Sequence, residues 1–239
     1  QGQRPKRKGK QELRPPQGYA LDRAVATTFS LDLVSLLMAP MSMALLEMET
    51  REKVLEDPVA LLEALRRTTG RFAVFCQQGR ISVPRAESLL YGYLEPAVIE
   101  VQPPGGGVFH PKTWLLRFTS DEGPTRYRFL CLSRNLTEDR SWDTALVLEG
   151  TLKEQDGEVP RNRPLSDFVG ALPGLAVEPV SEKNREHIEL LRDEIRRVDF
   201  EVPDTFRDED PGDLIFAPMG LPDISTGGPN HSGCNRHMV

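Results

Sequence analysis

The chain has 239 residues, with 30 Lys and Arg against 36 Asp and Glu for a formal charge of −6, 38% hydrophobic and 7% aromatic residues, and 3 Cys. That excludes collagen-like, heavily basic and disulfide-framework classes, and leaves an acidic chain with enough apolar material for one sizeable core. The longest uncharged apolar run, residues 33–46, falls short of the ~18 residues a membrane-spanning helix needs, and the hydrophilic, basic start argues against a signal peptide.

Residues 1–18 read as a disordered basic arm, because Arg4, Lys6, Arg7, Lys8, Lys10 and Arg14 face a single acid, Glu12, with no apolar periodicity. A single domain is expected over 19–223. It opens with a buried strand through Val25 to Phe29, then Ser30 or Asp32 as a helix N-cap, then a Leu/Met-rich buried helix to about Met48 broken near Pro40. Met38, Met41, Met43 and Met48 read as core filler. After Pro58 an amphipathic helix, VALLEALRRTTG, ends at Gly70, and RFAVFCQQG follows as a strand.

Four strand-like segments come next, at 97–102, 108–118, 127–133 and 144–150, joined by turns that include the glycines at 105–107. A helix over 181–198 carries Ile188, Leu191 and Ile195 on one stripe, and its charges read as a solvated face. LIFAPMG near 214–220 reads as a further strand, and 224–239 as a disordered tail of turn formers. Alternating helices and strands predict an α/β layer architecture, and Cys76 and Cys131, inside apolar runs without C-x-x-C spacing, predict buried free thiols.

The chemistry concentrates in VFHPKTWLLRF. His110 and Lys112 are two apart in an extended run and so leave one face, which Trp114, Leu116 and Phe118 continue. One turn later RFLCLSRNLT delivers Ser133 and Asn135, again two apart, where apolar residues give way to polar ones. Two neighbouring antiparallel strands would bring His, Lys and Asn to one rim. A neutral imidazole is a nucleophile toward phosphorus, and an ammonium and an amide donate to the equatorial oxygens, so the set suits a phosphodiester. His187, His231 and His237 read as ordinary surface histidines.

H-P-K at 110–112, a hydrophobic strand, then S-R-N-L-T at 133–137 resembles the His-x-Lys and Ser-x-Asn signature of the phospholipase D superfamily, whose members include phospholipases, nucleases and tyrosyl-DNA phosphodiesterases. The resemblance implies a mixed sheet flanked by helices and metal-independent cleavage through a phosphohistidine, with no cofactor. It makes His110 the nucleophile or the partner general acid and Lys112 and Asn135 the phosphate donors, with Ser133 in support. An acid that orients the histidine is expected at Asp143, with Glu149 as second choice; Arg117 stands where the family usually has Asp five residues after the Lys.

Family members build one site from two such motifs, and this chain has 4 His but one motif. The expectation is a half-site completed by a second copy across a twofold axis, or by the C-terminal half of a longer protein. The expected substrate is a phosphodiester, DNA or RNA by preference, in the cytoplasm and without membrane engagement. The competing expectation is a catalytically inactive module that binds nucleic acid or a protein partner.

Overall fold

A computed structural model describes residues 13–47, 58–84, 89–137, 145–154, 157–203 and 214–219. A seven-stranded sheet runs through the middle, formed by β1 (Ala20–Thr28), β3 (Phe72–Gln77), β5 (Val98–Val101), β6 (Thr113–Thr119), β7 (Arg126–Leu132), β8 (Ala145–Leu152) and β9 (Val198–Phe200). The order is β5-β3-β1-β6-β7-β8-β9, parallel from β5 to β1 and antiparallel from β1 to β9. A separate two-residue ladder pairs β2 (Leu31–Asp32) with β4 (Ile81–Ser82).

β1 is central and buried without a break over its last five residues, the pattern of a strand covered on both faces. Alternate side chains divide between two cores. Val25, Phe75, Leu115 and Phe129 face α3 (Arg163–Ala171) and α4 (Glu182–Ile195), which contribute Leu165, Val169, Ile188, Leu191 and Ile195. Ala26, Phe72, Val74, Trp114 and Leu116 face α1 (Leu33–Glu47) and α2 (Pro58–Thr69), which contribute Leu36, Leu37, Ala39 and Leu65. This is the α/β class expected, a mixed sheet with helices on both faces. Among the described residues no helix is long and apolar enough to cross a membrane.

Several local expectations are corrected. The first helix is capped by Asp32, whose Oδ1 accepts from Ser35 N at 2.8 Å, and it continues through Pro40 instead of breaking there. Leu36, Leu37 and Ala39 are buried, and that packing outweighs the one backbone bond that proline removes. Met38 is 39% exposed, and Met41 packs against the core. The His-Pro-Lys segment precedes its strand, since β6 starts at Thr113. Pro111 has no N–H, and Phe109 N donates to Gln77 Oε1 at 2.7 Å instead of to a ladder.

Residues 214–219 form no strand, yet Leu214 and Phe216 are buried, with Phe216 edge-on to Phe129 at 5.4 Å. The last helix ends at Ile195, and Val198 opens β9, which approaches so closely that a Cβ on Gly150 would lie 2.6 Å from Val198 Cγ1. The basic arm is described only from residue 13, where Leu13 packs against the core and Arg14 O accepts from Arg128 at 2.7 Å, so its last residues are not a free tail. The tail over 224–239 lies outside the described residues.

Candidate active site

The register collects several chain ends at one rim of the sheet. Thr27 pairs with Thr113, Thr113 with Cys131 and Thr28 with Cys76, so the ends of β1, β3 and β7 and the start of β6 lie side by side. Leu132 N donates to Lys112 O at 2.8 Å, which extends the β6–β7 ladder one step past the strand and delivers the 133–137 loop beside Lys112.

His110 and Lys112 meet there. Lys112 Nζ lies 3.0 Å from both His110 Nδ1 and Nε2 and 3.3 Å from the His110 carbonyl oxygen. Equal distances to both ring nitrogens mean that the ammonium is in line with neither lone pair. It has only donors, and so accepts nothing from the ring. Burial lowers the Lys112 pKa from its ordinary value, opposed by the Cys131 thiol. The His110 ring packs against Phe29 with centroids 5.4 Å apart at 47°.

β1 fastens the Asn135 loop. Thr28 Oγ1 donates to Ser30 O at 2.9 Å and accepts from Leu136 N at 3.1 Å, while Asp32 N donates to Leu136 O at 2.8 Å. Asn135 Oδ1 is buried without a hydrogen-bond partner, which costs about 1–3 kcal/mol. Thr27 Oγ1 lies 2.8 Å from Thr113 Oγ1 and accepts from Thr113 N at 3.1 Å, which fixes the start of β6 against the end of β1. Behind the strand end, Thr113, Phe129, Leu165, Phe168, Phe216 and Pro218 line a small apolar crevice.

The expected residues thus separate into groups. His110 and Lys112 are in contact, and the loop that carries Ser133 and Asn135 arrives at the same rim. Asp143 lies outside the described residues. Glu149 does not serve His110: Arg128 Nε donates to it at 2.5 Å, in register on β7 and β8. Trp114 is core, edge-on to Phe72 at 6.0 Å.

Arg117 belongs to a buried ionic hub at the other end of β6. It donates to Glu194 through Nε at 2.8 Å and Nη2 at 3.0 Å and to Asp22 at 2.7 Å, and Tyr127 Oη donates to Glu194 at 2.6 Å. Glu194 is therefore not part of a solvated face. His187 corrects the surface expectation too, being 7% exposed with Nδ1 unpartnered. Burial first, then repulsion from Arg23 and Lys183, lowers its pKa to about 4 against the pull of Asp22.

Sequence reasoning missed Phe29 and Arg80. Arg80 sits on the turn after β3 with its guanidinium 5.2 Å from the Phe29 ring centroid. The signal available was Q-Q-G-R directly after an apolar strand, a turn that must lie at a strand end. Among the described residues no three His, Cys, Asp or Glu side chains gather to hold a metal ion, and the cations at this rim suit an anion.

No protein-family model and no curated protein matches the chain. Three solved structures of yeast tyrosyl-DNA phosphodiesterase overlay on it, the unsubstituted enzyme and two single-histidine variants. Identities are 15, 15 and 16%, over 75% of this chain in each case, with TM-scores of 0.45, 0.45 and 0.43. The chain spans only about a third of their length, 36, 36 and 35%.

Proposed function

We propose that this rim is one half of a metal-independent phosphodiesterase site of the phospholipase D type, nuclease-like in its choice of substrate. The observation that carries the reading is the Lys112 ammonium 3.0 Å from the His110 ring nitrogens, on the rim that receives the Asn135 loop. A cation against an imidazole favours an anionic partner that both can touch, and a phosphodiester supplies a phosphorus for the ring and equatorial oxygens for Lys112 and Asn135.

A His110 ring nitrogen attacks phosphorus, a nitrogen–phosphorus bond forms, and the bond to the leaving oxygen breaks. The leaving alkoxide takes a proton from an acid on a second motif. Water then attacks the phosphohistidine, its proton passing to the group on the second motif that protonated the leaving oxygen, and the nitrogen–phosphorus bond breaks to release the ring. The second motif comes from another copy of this chain or from the other half of a longer protein. Asp143 orients the histidine.

The test is hydrolysis of bis(p-nitrophenyl) phosphate in EDTA by the chain, His110→Ala and Lys112→Ala, with solution mass measured on the same samples. Turnover that survives EDTA and falls by about 10²–10³ in each variant supports the reading. Turnover unchanged in His110→Ala refutes it, and none from a parent chain that is dimeric, with two motifs present, makes the rim a binding module.

A further inference from the structure

We infer that Arg80 and Phe29 form a second anion subsite beside His110 and Lys112, so that the ligand carries two linked anionic groups. The inference rests on the phosphodiester reading above.

Phe29 meets both the His110 ring and the Arg80 side chain. Its centroid is 5.4 Å from the His110 ring and 5.2 Å from the Arg80 guanidinium carbon, so the arginine stands one aromatic ring away from the reacting pair. A guanidinium over a ring face keeps its edge donors free for an oxygen in the plane of the fork.

The placement is built by the backbone. Arg80 N donates to Gln77 O at 3.1 Å and Arg80 O accepts from Leu31 N at 3.0 Å, which anchors the residue on both sides. Gly79 supplies the turn with φ of 70°, a conformation that a side chain would strain. The neighbouring acids are engaged elsewhere: Glu100 Oε1 accepts from Gly79 N at 2.8 Å and Asp32 Oδ1 accepts from Ser35 N at 2.8 Å. Among the described residues no carboxylate forms an ion pair with Arg80, whose side chain is exposed. An exposed, backbone-anchored cation in an acidic chain, held beside the reacting pair, is arranged for an anion from outside.

The ligand chemistry follows. A simple diester places one charge, against Lys112 and Asn135. A chain of phosphodiesters supplies a second for Arg80, which shares the Phe29 ring with His110.

Calorimetric titration of the full-length chain with the dinucleotide TpT, and with TpT bearing a terminal 5′- or 3′-phosphate, tests this. One phosphorylated form should bind about fivefold tighter than TpT. Arg80→Ala should abolish that advantage while TpT affinity stays within twofold, and Lys112→Ala should weaken all three ligands. Equal affinities for the three ligands, or an Arg80→Ala that weakens TpT as much as its phosphorylated forms, overturns the second subsite alone. Failure of TpT to bind, or binding indifferent to Lys112→Ala, overturns the phosphodiester reading and the subsite with it.

Discussion

Glu194→Gln isolates the ionic hub beneath β6. The carboxylate accepts three hydrogen bonds, two from Arg117 at 2.8 and 3.0 Å and one from the Tyr127 hydroxyl at 2.6 Å, and the residue is 9% exposed. The amide keeps the volume but loses the charge, and turns an N–H toward donors. Removing one partner of a buried ion pair costs about 3–5 kcal/mol, and Asp22, still 2.7 Å from Arg117, holds the loss near the lower figure. At about 2–4 °C per kcal/mol for a chain of this size, Tm falls by about 6–12 °C. Urea unfolding followed by circular dichroism should show the midpoint drop with an unchanged slope. The double variant Arg117→Met/Glu194→Leu, which removes both charges, should recover most of the loss, and phosphodiester binding at the opposite end of β6 should not change. A loss under about 1 kcal/mol in Glu194→Gln would refute the assignment of Arg117 as a structural hub.

Two further outcomes follow from burial. His187 stays neutral in the fold down to about pH 4, whereas in the unfolded chain it takes up its proton near 6.5. Stability should therefore fall as pH drops from 6.5 to 4, by up to about 3 kcal/mol, and His187→Gln should flatten that part of the pH profile; identical profiles would refute it. Burial first, then the Glu100 carboxylate, pushes the Cys76 thiol up to about 12. Mass mapping after iodoacetamide at pH 8 should find Cys76 alkylated only in urea, and native alkylation at the denatured rate would contradict its burial.

The strands and the longer helices were legible because each carries its own period. The β-branched and aromatic stretch Val25 to Phe29 announces a buried strand, and the Ile188, Leu191 and Ile195 stripe announces α4. What was not legible depends on partners far away in sequence. Glu194 looks like one more charge on an acidic helix until Arg117, 77 residues earlier, is folded against it. His187 lies one residue from the stripe and is buried on its flank for the same reason. β9 has three residues and rests on its ladder with β8, so no local pattern marks it. At the rim, the two-residue spacing of His110 and Lys112 was enough to bring them together, although Pro111 holds them just outside the strand. Phe29 and Arg80 join the rim through the parallel pairings of β1 with β3 and of β2 with β4, which spacing along the chain does not reveal.

The central claim is that the His110, Lys112 and Asn135 rim holds a phosphodiester. It is tested most directly by nuclear magnetic resonance titration of the isotopically labelled chain with dimethyl phosphate, a diester too small to draw affinity from anything but its phosphate. The account predicts saturable shifts centred on the His110 ring, the Lys112 ammonium and the Asn135 side-chain amide, lost in Lys112→Ala. Shifts confined to the apolar crevice around Phe129 and Phe168, or none that saturate, would contradict it.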